Sequence, residues 1–128
     1  MTNRKDRLKK LVEVQEQLKA LHEMRRAGYL AKAVAAEQEA ADIAARFDAP
    51  DSLSALWPEI YQQRIAAARA ERDRNLDDAR REAGSLATAT ARTNMVERAY
   101  RDARRDDERQ RSDRERLELI EQKRGPEK

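Results

Sequence analysis

Side chains that commonly perform catalysis are few in this sequence and poorly placed for it. His22 is the only histidine and cysteine is absent, so neither a Cys–His dyad nor a histidine–cysteine metal site can be built. Two pairs of adjacent carboxylates occur, Asp77–Asp78 and Asp106–Asp107. Neighbours on a helix point about 100° apart, so the carboxylates of a pair do not converge on one atom. The three glycines are isolated from one another and form no phosphate-binding loop. We therefore expect no catalytic residue, no cofactor and no metal, and hence no enzyme.

The stretch 58–123 contains one proline, at its first position, and one glycine, Gly84. Alanine, arginine, glutamate, leucine and glutamine dominate it, and all are good helix formers. One helix of this length would span roughly 100 Å, which a compact domain of this size could not bury. The rest of the chain is therefore expected to accompany this helix.

Residues 2–47 are predicted to form the first helix, with Asn3 or Thr2 as its cap and Asp6 in its first turn. Its first half carries an apolar stripe at spacings of three and four, typical of a coiled-coil seam: Leu8, Leu11, Val14, Leu18 and Leu21. Beyond Gly28 two series of mostly small residues compete, so the register stays open there. One series is Ala27, Ala31, Val34, Gln38, Ala41 and Ala45, and the other is Ala33, Ala36, Ala40, Ile43 and Phe47.

The segment 48–57 is expected to be a turn between the helices. Pro50 disfavours helix at the residue before it, and Pro58 suits the first turn of a second helix. A connection of this length favours antiparallel neighbours. In the second helix the apolar residues stop after Ala103 and return only at Leu117, about where the first helix should run out. The predicted fold is thus all-α: a single domain, 1–128, with two long helices in an antiparallel coiled-coil hairpin and a C-terminal helical overhang.

The charges are numerous but balanced. They make up 41% of the chain, yet the net charge is only +3, and interleaved signs favour paired charges on helices over a self-repelling disordered chain. The sequence pI near 9.4 raises nucleic-acid binding as an alternative, but residues 97–128 hold eleven cations and ten anions, so a nucleic-acid partner is disfavoured. The cationic excess lies at the start, in Arg4, Lys5, Arg7, Lys9 and Lys10, and suits a lipid headgroup or an acidic partner.

Two groups of residues are candidate partner-binding sites. Phe47, Trp57 and Tyr61 cluster at the turn, where they either plug the end of a thin core or form a contact patch. Leu117, Leu119 and Ile120 make an apolar tip on the otherwise polar overhang. The tentative partner-binding residues are therefore Trp57, Tyr61, Leu117, Leu119 and Ile120.

The chain as a whole resembles the flagellar FliJ family and its type III secretion counterparts. The resemblance rests on RLKKLVEVQEQLKALHEMRRAGYLAKAVAAEQEAADIAARFD near the start and on VERAYRDARRDDERQRSDRERLELIEQ near the end. It implies a cytoplasmic coiled-coil component of the flagellar export apparatus, peripheral at the inner membrane. The implied partners are the export ATPase hexamer, the membrane export gate and export chaperones, with no small-molecule substrate.

The rival hypothesis is a generic coiled-coil scaffold. A seam rich in alanine suits self-association into a four-helix bundle. The N-terminus has no continuous apolar run like that of a secretory signal, and no segment approaches the ~20 apolar residues that cross a bilayer. Both hypotheses therefore place the protein in the cytoplasm.

Overall fold

The computed structural model describes residues 3–125, and these form two α-helices and a turn. Helix α1 is Arg4–Phe47 and helix α2 is Pro58–Arg124. No described residue lies in a strand, so the predicted all-α class is confirmed. The second helix ends one residue beyond its predicted limit. The predicted start of the first helix, residue 2, lies outside the described residues.

The helix ends follow from local side chains. Asn3 caps α1, because its Oδ1 accepts a hydrogen bond from the backbone N–H of Asp6 at 2.9 Å. Thr2, the alternative cap, lies outside the described residues. Pro58 opens α2, where its missing N–H has no intrahelical partner to lose. Gly125 follows α2 with φ +60°, the left-handed conformation that commonly ends a helix.

The chain divides into two compact units, each containing a segment of both helices. The turn unit is Lys19–Thr88, and the terminal unit combines Met1–Leu18 with Ala89–Lys128.

The core of the turn unit is built mainly from alanine. In α1 the buried residues are Ala33, Ala36, Ala40 and Ile43, and in α2 they are Ala68, Asn75 and Ala79. Ala40 is only 1% exposed, whereas Val34, from the competing series, is 70% exposed. The face that contains Ala40 is therefore the buried one, which resolves the register that the sequence left open. Side chains of one carbon fill this core only if the helix backbones approach closely.

The less exposed positions of the turn unit recur at spacings of three and four, as in a coiled coil. In α1 they include Tyr29, Ala33, Ala36, Ala40, Ile43 and Phe47. In α2 they include Tyr61, Ile65, Ala68, Arg72, Asn75, Ala79, Glu82 and Leu86. Polar side chains thus occupy core positions towards the middle of the chain.

In the terminal unit the buried face differs from the one expected from the leucines. Leu8, Val12 and Gln15 are half-buried, whereas Leu11, Val14 and Leu18 are 41%, 49% and 40% exposed. The prediction that Leu11, Val14 and Leu18 belong to the buried seam is therefore wrong. The spacing of four and three from Leu8 continues through Val12 and Gln15, so the face towards α2 keeps Leu8 but leaves out Leu11, Val14 and Leu18. From α2 the terminal unit buries Ala89, Thr93 and Ala103.

The buried polar side chains are satisfied within their own helix. Asn75 Nδ2 donates to the backbone oxygen of Glu71 at 3.0 Å, and Thr93 Oγ1 donates to that of Ala89 at 2.7 Å. Among the described residues no buried side-chain nitrogen or oxygen lacks a partner. Neither residue therefore carries the cost of an unpaired buried polar group.

Candidate partner-binding surfaces

The turn between the helices is held by a small hydrogen-bond network. The hydroxyls of Ser52 and Ser54 donate to the backbone oxygen of Phe47 at 3.3 and 2.8 Å. The backbone N–H groups of Leu56 and Trp57 both donate to the oxygen of Leu53 at 3.0 Å. The serine hydroxyls thus satisfy the oxygen of Phe47, which the end of α1 leaves without an intrahelical partner.

The turn and the first residues of α2 carry four large apolar residues that are close in the sequence, here called the turn patch: Leu53, Leu56, Trp57 and Ile60. All four are at least half exposed, and Trp57 is 55% exposed. Single exposed apolar residues are ordinary, but several large ones within eight positions are typical of an interaction surface. Sequence reasoning identified Trp57 and missed its three neighbours.

The aromatic cluster predicted at the turn is divided between core and surface. Phe47 and Tyr61 pack edge to face, with ring centroids 5.9 Å apart and an interplanar angle of 70°, a favourable arrangement for aromatic pairs. Both rings are half-buried and close the end of the alanine core. Trp57 takes no part in that contact and stays exposed. Tyr61 therefore belongs to the end of the core, while Trp57 belongs to the exposed turn patch.

The second candidate surface is the C-terminal arm, Glu108–Arg124. The last ion pair recorded between α1 and α2 joins Lys5 Nζ to Asp107 Oδ2 at 3.2 Å. Every described residue after Asp107 is exposed, although α2 continues to Arg124. Leu117, Leu119 and Ile120 are exposed on this arm. In the described part of the chain, neither α1 nor any other segment covers the residues of the arm.

The residues that first raised the question of chemistry have structural partners. His22 is half-buried, and its Nδ1 lies 2.7 Å from Glu82 Oε2 across the two helices. Asp77 pairs with Arg80 at 3.0 Å, and Asp78 pairs with Arg81. The described residues hold no group of three or more histidine, aspartate or glutamate side chains arranged for a metal ion.

One arginine links the helices inside the turn unit. Arg72 of α2 donates to Glu37 of α1 and, through Nε, to Asp73 at 3.0 Å. Hydrogen bonding to Glu37, and then to Asp73, raises the pKa of Arg72 above its ordinary value. Arg72 lies at one of the seam positions of α2, and its side chain is 30% exposed.

Comparisons with protein-family models, with curated proteins and with solved structures gave no match. No helix of the described residues is both long and apolar enough to cross a membrane.

Proposed function

We propose that α1 and α2 pair as an antiparallel coiled coil within each unit, with the arm as an overhang of α2. The order of contacts in the turn unit supports this pairing. Near the C-terminal end of α1, Phe47 packs against Tyr61 of α2. Closer to the N-terminus of α1, Glu37 pairs with Arg72. Closer still, His22 pairs with Glu82. Partners in α2 thus advance as positions in α1 recede, and the seam positions of both helices keep coiled-coil spacing.

A disulfide between buried alanines tests the pairing, since the chain has no cysteine of its own. Ala40→Cys with Ala68→Cys is expected to oxidise rapidly within one chain, because both positions are buried and at the same level of the proposed register. The matched control is Ala41→Cys with Ala68→Cys, which moves one thiol to the exposed face. Equal oxidation of both pairs would contradict the register.

We further propose that the protein is a cytoplasmic coiled-coil component of the bacterial flagellar protein export apparatus, acting as a stalk or escort. The observation that carries this proposal is the resemblance of the two quoted segments to the FliJ family, in their order and over nearly the whole chain. Two exposed apolar surfaces at the turn and on the arm support a role in binding proteins. The scarcity of catalytic side chains suits a protein without chemistry of its own.

In this proposal the export ATPase hexamer, the membrane export gate and export chaperones bind the two candidate surfaces. Trp57 and the other turn-patch residues supply one apolar anchor, next to Tyr61 in the sequence of α2. Leu117, Leu119 and Ile120 supply the other. Both anchors have the large side chains that dominate binding energy at protein interfaces. Contact with the gate would bring the protein to the inner membrane as a peripheral component.

Binding to the purified export ATPase and to the cytoplasmic part of the gate, measured by calorimetry, tests the proposal. We expect micromolar or tighter binding by the full chain and a clear loss with Trp57→Ser plus Leu56→Ser, or with Leu117→Ser plus Ile120→Ser. Val34→Ser, which changes another exposed residue of α1, is the matched control and should bind normally. Absence of binding to either component would rule out the export role.

A generic coiled-coil scaffold is the second candidate. The exposed leucines of α1 in the terminal unit favour it, since apolar residues outside the seam can pack against further helices. A scaffold would keep its self-association but bind neither the ATPase nor the gate, so the same calorimetry distinguishes the two.

A further inference from the structure

The buried seam of the turn unit is rich in alanine, and alanine gives a seam little means of selecting its register. In the order of contacts described above, Ala40 of α1 lies at the level of Ala68 of α2. Coiled-coil positions repeat every seven residues, so sliding one helix by a heptad brings other seam residues together. The alanines that are buried in this unit are Ala33, Ala36, Ala40, Ala68 and Ala79.

Sliding by one heptad in either direction would again pair buried alanines. One direction places Ala33 at the level of Ala68, and the other places Ala36 at the level of Ala79. The displacement is about 10 Å along the helix. The turn, 48–57, could span about 33 Å if it were extended, so its length permits either shift. Contacts between alanines are alike in all three registers, and another feature must therefore select the observed one.

Two polar contacts join α1 and α2 beside this seam. Arg72 of α2 donates to Glu37 of α1, and His22 Nδ1 lies 2.7 Å from Glu82 Oε2. The side chains of Arg72, His22 and Glu82 are only 30%, 22% and 16% exposed. Polar groups that lose water when the helices pair need partners in exchange. Each contact therefore favours the register that supplies its partner.

The shifted registers would remove both contacts. His22 and Glu82 would be about 10 Å further apart along the helices, which is too far for a hydrogen bond. Arg72 and Glu37 would be separated by the same distance. The residues that would take their places opposite Arg72 and Glu37 are all apolar: Leu30, Ala44, Ile65 and Ala79.

We propose that the Glu37–Arg72 and His22–Glu82 contacts determine the register of α1 against α2 in the turn unit. They act by disfavouring the shifted registers, in which half-buried polar groups would face apolar residues without a partner. Polar residues at coiled-coil seams specify register in this way. The inference rests on the antiparallel pairing proposed above and does not depend on the export role. Without the two contacts, α1 slides by one heptad while its alanines stay buried.

Three pairs of introduced cysteines report the three registers. The native pair is Ala40→Cys with Ala68→Cys. The first shifted pair is Ala33→Cys with Ala68→Cys, and the second is Ala36→Cys with Ala79→Cys. Cysteines whose Cα atoms are more than about 7 Å apart cannot be joined without backbone movement. In the otherwise unchanged chain, we therefore expect rapid oxidation within one chain for the native pair alone, measured by gel mobility.

Removal of one carboxylate from each contact is the primary test. Glu37→Ala with Glu82→Ala should raise the oxidation rate of at least one shifted pair about tenfold or more. The matched control is Glu39→Ala with Glu71→Ala, which also removes one carboxylate from each helix, but at exposed positions. The control should leave the native pair as the only reactive one. Circular dichroism should report equal helix content for both variants, so that faster oxidation reflects sliding rather than unfolding.

Moving a carboxylate by seven residues tests the direction of sliding. In the chain with Glu37→Ala and Glu82→Ala, adding Leu30→Glu supplies Arg72 with a carboxylate only in the register that the first shifted pair reports. We therefore expect this addition to speed oxidation of the first shifted pair and not of the second. Ala31→Glu is the control, because position 31 is exposed and is not seven residues from position 37. It should not speed either reaction.

Three outcomes would overturn the proposal. Oxidation of the native pair alone in every variant would assign the register to the turn and to the contact between Phe47 and Tyr61. Equal oxidation of all three pairs in the unchanged chain would show that no contact selects the register. Failure of the native pair to oxidise in the unchanged chain would overturn the antiparallel pairing together with this inference.

Discussion

At the scale of single residues, alanine at seam positions decides how closely the two helices pack. Ala40 is 1% exposed and Ala68 is 4% exposed, so neither site has room for a larger side chain. The neighbouring Ala41 is exposed. A larger side chain should therefore destabilise the protein at Ala40 but not at the adjacent Ala41.

Ala40→Leu should lower the free energy of unfolding by about 1–3 kcal/mol, because the added carbons force the helices apart. Ala41→Leu is the control and should change it by less than about 0.5 kcal/mol. Urea unfolding monitored by circular dichroism measures the free energy of unfolding of both variants. An equal loss for the two variants would mean that the buried face of α1 is not the one described.

The contact between His22 and Glu82 should be coupled energetically. Both side chains are half-buried and their polar atoms are 2.7 Å apart, so removing one leaves the other partly desolvated and unpaired. A double-mutant cycle with His22→Ala and Glu82→Ala should give an interaction energy of about 0.5–1.5 kcal/mol. If the two single substitutions change the free energy of unfolding additively, the two side chains do not stabilise each other.

At the scale of elements, the sequence predicted the helices and the turn closely, because Pro50, Pro58 and the capping residues act locally. It could not choose the buried face of α1. Alanine occurs on every side of α1 after Gly28, so periodicity alone does not distinguish the faces. In the first half, Leu11, Val14 and Leu18 form the most apolar stripe, yet α2 covers the face of Val12 and Gln15. Which stripe is buried depends on how the partner helix packs, and the pattern of apolar residues in one helix carries no information about that packing.

The same limit applies to the candidate sites. The exposed arm followed from the absence of apolar residues between Ala103 and Leu117, a feature visible in the sequence. Leu53, Leu56 and Ile60 of the turn patch were missed, since their exposure depends on how the serine hydroxyls fold the turn onto the oxygen of Phe47.

Deleting residues 109–128 should leave the melting temperature of the remaining chain within about 2 °C of its original value when measured at monomeric dilution. The described part of the deleted segment is wholly exposed, so its loss removes little buried surface. Hydrogen exchange at the same dilution should be much faster beyond Arg104 than around Leu86. Protection of the arm equal to that of Leu86 in the monomer would mean that the arm packs on its own chain.

At the scale of the whole molecule, the proposed function depends on surfaces rather than on a chemical centre. The proposed export role assigns the turn patch and the arm to other proteins.

The purified chain should not hydrolyse nucleotides, but it should raise the turnover of the export ATPase. A helical protein bound to a ring can favour one assembly or subunit state without contributing catalytic groups, provided that it binds that state more tightly. A phosphate-release assay with ATPase, with and without the chain, measures this. The Trp57→Ser plus Leu56→Ser variant should stimulate less, and turnover by the chain alone would contradict the proposal.

The alanine core also has a calorimetric consequence. Unfolding raises heat capacity in proportion to the apolar surface that becomes hydrated, and each buried alanine contributes far less such surface than a leucine. The heat-capacity increment per residue should therefore fall below the usual value of about 12 cal/mol/K. A small increment flattens the curve of stability against temperature, so the protein should hold nearly constant stability between cold and warm growth conditions and resist cold denaturation.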